Sequence, residues 1–386
     1  QSRDYGEEWV PIRDATGRIL AEDIHADRDF PPFNRSTKDG IAIHYSAIEQ
    51  GQTDFQVAGV LAAGAPPRVL GSATSCIEIM TGAVVPEDAN TVVMYEDVVI
   101  EGGIAHVKKP PLKSANIHFQ GSDEKMGALL LQRNSLITPA AIGVMASVGK
   151  SLLRVKQLPG ISIISTGREL VQIDTSPLPH QIRRSNAYAL FSALSKEGII
   201  PLLLHLDDDK DIIRQKLAYA IQEMDVLLLS GGVSRGKFDF IPEILSELGV
   251  DMIFHKVKQR PGKPFWFGIH HAAKTVIFSF PGNPASTFAN YHIYFKPWLL
   301  KSLGMPVPEN HVILGENLSI QGELTRFIRA RIQWSSGTIT ATTVHGNGSG
   351  DLTSLARSDG FIQLDPERQN FKKGELVPFI ATNNIV

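Results

Sequence analysis

The stretch from Val226 to Phe240, VLLLSGGVSRGKFDF, limits what this chain can fold into more than any other. Its apolar run, Val226 to Leu229, has the length of a buried strand and stops abruptly at Ser230, Gly231 and Gly232. Asp239 then opens FIPEILSELG, whose Ile241, Ile244, Leu245 and Leu248 fall at helical spacing before Gly249. Strand, glycine turn and helix make up the repeating unit of an open α/β sheet. Such turns lie outside the carboxyl ends of the strands, where these folds bind phosphates and nucleotides. Gly231 to Lys237, GGVSRGK, also matches the spacing of a P-loop up to its lysine. A P-loop needs a hydroxyl at the next position to hold magnesium, and Phe238 has none, so that reading fails.

The same alternation extends on both sides. From near Gly160, ISIIS leads through a long loop to a helix over Ser185 to Glu197. IIPLLLH leads through Asp207, Asp208 and Asp209 to a helix ending near Met224. MIFHKVK, FWFG and TVIFSF follow the central unit. The last ends at Pro281-Gly282-Asn283-Pro284, where Asn283 reads as an N-cap and Pro284 as the first turn of a helix running to about Leu303. This predicts a doubly wound, mainly parallel sheet with helices on both faces.

The flanks read differently. Trp9 to Ile24 is an extended segment leading to a short helix and a strand, and DFPPFNRSTKDGIAI is a proline- and turn-rich loop. Gln50 to Val107 carries short β-runs (FQVAGV, TSCIEIM, NTVVMYEDVVI, GIAHV) without helical period, which predicts a small all-β domain with Thr81 on one of its loops. PAAIGVMASVG reads as a small helix. Beyond Gly304-Met305-Pro306, RFIRARIQWSSGTITATTV is a hairpin turning at Ser335-Ser336-Gly337, and GFIQLD and ELVPFI follow, which predicts a C-terminal β-barrel or sandwich.

Length and composition fit such an assembly, since 386 residues exceed one ordinary core. A formal net charge of -2 and no dense Lys/Arg block argue against nucleic acid as the partner. No apolar run reaches a membrane span, no signal-peptide pattern opens the chain, and the single cysteine, Cys76, suits a reducing cytoplasm. The first residue is not methionine, which leaves room for a missing N-terminal piece.

The chemistry is expected at one sheet edge. Ser165-Thr166-Gly167-Arg168-Glu169, Asp207, Ser230-Gly231-Gly232 and Pro281-Gly282-Asn283 each follow a strand, and right-handed crossovers put those strand ends on one side. Glycine amides and the helix start at Asn283 suit phosphate or another oxyanion. Glu169, Asp207 and Asp239 would repel phosphates unless a hard cation such as Mg²⁺ lay between them. Lys256, Lys258, Arg260 and Lys263, in KVKQRPGKP, add fixed positive charge. Anion, divalent metal and cationic clamp together describe phosphoryl or nucleotidyl chemistry. Asp207 and Asp239 read equally well as helix N-caps.

The stretches PPFNRSTKDGIAI, IMTGAVVPEDANTVVMYED, NIHFQGSD, ISTGREL, SNAY, LLLSGGVSRGKFDF, RPGKPFWFG, PGNPASTF and NGSGDLTSLARSDGF together resemble the molybdopterin molybdenumtransferases, which comprise bacterial MoeA proteins and the E domain of gephyrin. The resemblance runs from about Trp9 to the C-terminus. It implies a homodimer with composite active sites. Each subunit would have an extended hinge domain (1–25 and 127–156), an inserted β domain (26–126), a molybdopterin-binding α/β domain (157–304) and a C-terminal β-barrel (305–386). The implied reaction is insertion of molybdate into adenylylated molybdopterin with Mg²⁺ assistance and release of AMP. Other proteins of molybdenum cofactor synthesis would be partners.

Carried over position by position, Glu169, Asp207 and Asp239 match the acidic, metal-holding places, and Lys256, Arg260 and Lys263 the basic ones. Asp39 and Thr81 are matching loop contributions to the catalytic set. Pro281 and Pro284 match the proline-bearing loop, and Arg329 and Ser349 match positions near the cleft in the C-terminal domain. The chain departs from the family pattern at Lys38, Ile41 and His118. Two other readings share parts of this pattern. One is a molybdopterin adenylyltransferase, which would be a single small domain. The other is a non-catalytic scaffold, which would lose the acids that this chain keeps.

Overall fold

The structure, a computed structural model, describes residues 2–207, 209–232 and 240–383. The chain divides into two compact units, one of Gln1–Trp9, Gly17–Ile19 and Arg154–Val386, the other of Val10–Thr16 and Leu20–Leu153.

The first unit holds the α/β sheet. Its elements in chain order are β1 (Ile161–Thr166), α1 (Ser185–Lys196), β2 (Leu202–Leu206), α2 (Lys210–Glu223), β3 (Val226–Ser230), α3 (Ile241–Glu247), β4 (Asp251–His255), β5 (Gln259–Arg260), β6 (Trp266–His270), β7 (Thr275–Phe280), α4 (Pro284–Asn290) and α5 (Lys296–Ser302). The strand order is β2-β1-β3-β7-β6-β4, with the first four parallel, β6 antiparallel to both its neighbours and β4 running again in the direction of the first four. Both faces are buried, which is why the strands read as continuous apolar runs. Ile161, Ile163, Val226, Leu228, Val276 and Phe278 pack on one face, and Ile164, Leu227, Leu229 and Ile277 on the other. The register puts His205, Ser165, Ser230 and Phe280 in one row at the carboxyl ends of the parallel strands. Strand order reverses between β1 and β3, the position at which open sheets of this kind form a crevice.

Between α4 and α5 the helix widens into one π turn, Tyr291–Phe295. Such insertions often accompany functional sites. Beyond it, β8 (Asn310–Leu314), β9 (Thr325–Ser335), β10 (Thr338–Thr343), β11 (Gly360–Leu364) and β12 (Leu376–Ala381) form a barrel, closed because β9 pairs with both β10 and β11. Val312, Leu314, Ala330, Ile362 and Phe379 fill it. The hairpin between β9 and β10 turns at Ser336 and Gly337, both with positive φ (49° and 78°), as a two-residue turn requires. The short β5 leaves the α/β sheet and pairs in parallel with β9, Gln259 opposite Thr325 and Arg260 opposite Arg326.

The second unit is built on a six-stranded sheet ordered Thr91–Met94, Gly40–Ile43, Ser75–Ile79, Asp54–Leu61, Ile104–Val107 and Val98–Glu101. Here the expectation of one long polar loop from Asp29 to Ile43 is corrected. Gly40–Ile43 is an internal strand, its Ile41 and Ile43 buried on one face and Ala42 on the other. Four residues are too few to show a period in sequence. A Cβ at position 40 would overlap the Val93 carbonyl, so the Asp39-Gly40 pair belongs to a strand start rather than to a free turn. Tyr45–Glu49, not foreseen from sequence, is a helix capped by His44. Cys76 is buried in this core, and burial pushes its thiol up to about 12.

Candidate functional site

Two adjoining cavities open in the larger unit. The first, of about 610 Å³, lies at the strand-order reversal and is lined by Ser165, Thr166, Gly167 and Glu169 after β1, by Ser230, Gly231 and Gly232 after β3, and by Pro281 to Pro284 after β7. Thus three of the four strand-end loops expected from sequence share one cavity. The second, of about 770 Å³, lies between the α/β sheet and the barrel and is lined by Arg260, Lys263, Arg329 and Ser349 among others. Pro264, Pro281 and Asn283 line both.

The glycine turn after β3 is dictated by close packing. Gly231 and Gly232 have φ of 98° and 72°, and a Cβ on Gly232 would lie 2.6 Å from Ile241 and 3.0 Å from the Thr166 hydroxyl. Only glycine lets the backbone pass there, and the Gly231 amide donates to the Phe280 carbonyl (3.1 Å). Asn186 fastens the loops together. Its Nδ2 donates to Ser230 Oγ (2.9 Å), to the Gly282 carbonyl (2.7 Å) and to Thr287 Oγ1 (3.3 Å), while Thr287 donates to the Pro281 carbonyl (2.5 Å). Asn186 lies in the SNAY stretch, but nothing in the sequence pointed to its role, because its partners are 44 to 101 residues away.

The acids are placed unequally. The Glu169 carboxylate folds back over Gly167 at the first cavity. Asp207 caps no helix; Asp209 does, accepting from the amides of Asp211 and Ile212. Asp207 instead sits 3.5 Å from His205 Nε2, largely exposed and outside the lining of both cavities. Burial and the Arg184 charge hold His205 below the usual imidazole range, against the pull of Asp207. Asp239 and the rest of the GGVSRGK match beyond Gly232 lie outside the described residues. Among the described residues no group of three or more His, Cys, Asp or Glu is placed to hold a metal ion.

The cationic loop is held from beneath. Gln259, 2% exposed, donates through Nε2 to Asn290 Oδ1 (2.8 Å) and to the Pro261 carbonyl (2.9 Å), and it accepts from the Tyr294 hydroxyl. Asn290, fully buried, donates to the Gly262 carbonyl (3.1 Å). Gly262 has φ 89°, and a side chain there would strike Asn290. The result is a rigid turn that presents Arg260 and Lys263 to the second cavity. Lys256 lies at the base of this turn with φ 79°, its amide bonded to the Phe265 carbonyl, and lines neither cavity.

On the barrel side, Arg329 Nη1 donates to Ser354 Oγ (2.5 Å) and to the Asp351 carbonyl (3.3 Å), and its guanidinium packs close to Gly346, where a Cβ would come within 2.6 Å of Nη2. Asp351 shapes the loop by accepting from Asn347, Thr353 and Ser354, which holds its carboxyl well below the usual range. Asn283 was expected to cap α4. Its side chain makes no capping bond and donates across to Ser349 Oγ (2.9 Å).

Asp39 and Thr81 belong to the smaller unit, where they meet. Thr81 donates to Asp39 Oδ1 through both its amide (2.6 Å) and its hydroxyl (2.8 Å), which lowers the Asp39 pKa. His118, one of the departures, accepts from Arg35 at Nδ1 and lies 2.7 Å from Asp123.

A doubly wound sheet with glycine turns and hydroxyls around a switch-point cavity, joined to a barrel cleft lined by Arg260, Lys263 and Arg329, defines an α/β protein with two adjacent cavities. Comparison with known proteins narrows this. Residues 3–149 match the MoeA N-terminal region (domain I and II), 162–301 a probable molybdopterin binding domain, and 311–382 the MoeA C-terminal region (domain IV). A molybdopterin molybdenumtransferase of Synechocystis sp. is 38% identical across 98% of this chain and 96% of that protein, and the one of Bacillus subtilis 32% across 96% and 88%. The crystal structure of the molybdopterin biosynthesis MoeA protein of Pyrococcus horikoshii superimposes with a TM-score of 0.83 at 28% identity, covering 98% of this chain and 96% of that one. The chain belongs to the molybdopterin molybdenumtransferase family. No helix among the described residues is long and apolar enough to cross a membrane.

Proposed function

We propose that this protein acts in molybdenum cofactor biosynthesis, inserting molybdate into adenylylated molybdopterin with release of AMP. The observation that carries the reading is the sharing of Pro264, Pro281 and Asn283 between the two cavities, which lets a phosphate-bearing ligand and a small oxyanion lie side by side. The glycine turns and the hydroxyl-bearing Ser165, Thr166 and Ser230 that line the first cavity suit the adenylylated cofactor. Arg260, Lys263, Arg329 and Ser349 in the second suit molybdate, a dianion, through a cationic clamp of fixed geometry.

In donor type, Glu169 and Asp207 fit Mg²⁺, which keeps several waters and is usually held by one or two carboxylates plus substrate phosphates. Asp239 is the third proposed ligand. Bound there, the ion would neutralise phosphate charge as AMP departs. The chain's own residues orient the substrate. Asn186 fixes the spacing of the loops after β3 and β7, and the Gln259–Asn290 pair fixes the cationic turn. A homodimer with composite sites, the four-part domain division given above, a cytoplasmic location and contact with other cofactor-synthesis proteins complete the proposal. An adenylyltransferase-like or scaffold role is not favoured, since family likeness spans the whole chain.

The test is release of AMP from adenylylated molybdopterin with molybdate or tungstate as acceptor. Oxyanion-dependent release supports the reading, and none from a folded protein overturns it. Asp207→Asn and Asp239→Asn should each abolish metal-dependent turnover with the fold kept. Near-normal turnover of both at limiting Mg²⁺ would remove the metal from the proposal.

A further inference from the structure

Arg184 stands at the head of α1 and is 9% exposed, so more than nine-tenths of it is withdrawn from water. It lines the first cavity, and its Nε, shut off from solvent, has no hydrogen-bond partner among the described residues. A buried guanidinium nitrogen without a partner is costly, because its desolvation is repaid only by an acceptor. None of the ion pairs among the described residues supplies a carboxylate for Arg184, and the nearby Asp207 is turned to His205. The position invites an anion that is not part of the protein.

The helix behind it points the same way. α1 has twelve residues, no side chain caps it, and its first turn carries no acid. Its Ser185, Asn186 and Ala187 line the same cavity. The free amides of that turn and the positive end of the helix dipole therefore face the space that Arg184 faces. Glu169 lines the cavity too and would repel an anion, so a fixed positive charge is needed if one is to bind there.

We propose that Arg184 and the first turn of α1 hold a phosphate-class oxyanion of the substrate, supplying a counter-charge that needs no divalent ion. This rests on the reading that the substrate is an adenylylated, phosphate-bearing cofactor, and adds to it a named residue and a metal-independent component of binding. The fork of donors suits a tetrahedral oxyanion, which can accept two parallel bonds from it.

The experiment is calorimetric titration of the full-length protein with inorganic pyrophosphate and with AMP, EDTA present throughout. The wild type should bind both at a fixed pH of 8, where the ligand phosphates carry their full charge. Arg184→Gln should weaken pyrophosphate by about tenfold or more, as loss of a charge-assisted bond does. Arg184→Lys should fall between. Circular dichroism and melting establish that each variant is folded. If the Gln variant does not fold, the Lys variant carries the test and should still bind several-fold more weakly than wild type. Equal affinity in wild type and folded Arg184→Gln overturns the proposal, as does binding by the wild type only after Mg²⁺ is added. AMP release by the wild type is assayed in parallel. If release persists while Arg184 proves indifferent, only the oxyanion site has failed; if release is absent, the reading of the substrate has failed.

Discussion

Asn283 Nδ2 donates to Ser349 Oγ over 2.9 Å, and the Ser349 carbonyl accepts from the Ala285 amide at 3.0 Å. One barrel loop is thereby tied at two points to the head of α4, beside both cavities. Ser349→Ala removes the side-chain tie and leaves the backbone one. Stability should fall by no more than about 1 kcal/mol, a shift of roughly 2–4 °C in melting temperature. The molybdate concentration for half-maximal AMP release should rise much more clearly. A molybdate titration that matches the wild type would show that this tie does not shape the oxyanion space.

Arg329 and Gly346 should act as one element. Arg329→Lys keeps the charge and loses the planar fork held by Ser354 and the Asp351 carbonyl. Gly346→Ala keeps the arginine and puts a methyl 2.6 Å from its Nη2. Both should raise the half-saturating molybdate concentration by about tenfold, a loss of roughly 1.4 kcal/mol of binding. Their double variant should be little worse than either single one. Additive losses would show that the glycine matters for another reason.

Asn290→Ala is expected to destabilise. It strips Gln259 Nε2 of one acceptor and the Gly262 carbonyl of its donor inside a core with no exposure at Asn290. Leaving a buried polar group unpaired costs about 1–3 kcal/mol, read as a lower midpoint in urea. Adding Gln259→Met to the same chain would also strip the Pro261 carbonyl and the Tyr294 hydroxyl of their partner, so the double variant should be less stable than Asn290→Ala alone. A double variant as stable as the single one would mean that the cost comes from the cavity rather than from unpaired polar atoms.

The Asp39–Thr81 clasp has a defined pH sign. Thr81 lowers the Asp39 pKa in the folded protein below the ordinary aspartate value, so the clasp is complete above that value and is lost only as pH falls through the depressed one. Carboxyl NMR titration should place Asp39 below an ordinary aspartate, and Thr81→Ala should return it to the ordinary range. Titration of Asp39 at or above the ordinary value in the wild type would contradict the paired hydrogen bonds.

The proposed homodimer gives Asp39 a role in the partner's site. Asp39→Asn and Asp239→Asn should each be inactive as homodimers. A mixed dimer, isolated by two tags, should recover activity, since one of its two composite sites would keep both native residues. Were Asp39 to serve its own chain, every site in the mixture would carry one lesion. A confirmed mixed dimer without activity would therefore reject the arrangement in trans.

What could be read from sequence followed period and punctuation. Ile161–Thr166, Val226–Ser230 and Thr275–Phe280 announced themselves as apolar runs because both faces of their sheet are covered, and the glycine turns marked their ends. Gly40–Ile43 escaped, being four residues behind a turn signal. Three aspartates in a row left the cap at the head of α2 undecided, and geometry selects Asp209 over Asp207. Asn186, Asn290, Gln259 and Arg184 gave no signal at all. Each works through partners distant in the chain or through the absence of one, and neither leaves a local pattern.

The two residues of β5 have a further consequence. Gln259 and Arg260 are hydrogen-bonded into the edge of the barrel, while the turn they begin is anchored in the helix that follows β7. The clamp therefore exists only while both bodies are folded and docked. A barrel that loosened would not expose a weakened site; it would erase one, because Arg260 loses its place in the same event. Amide exchange at Thr325 and Arg326 should thus follow the same protection as the α/β core, and a ligand held by the clamp should slow exchange in barrel strands that it never touches.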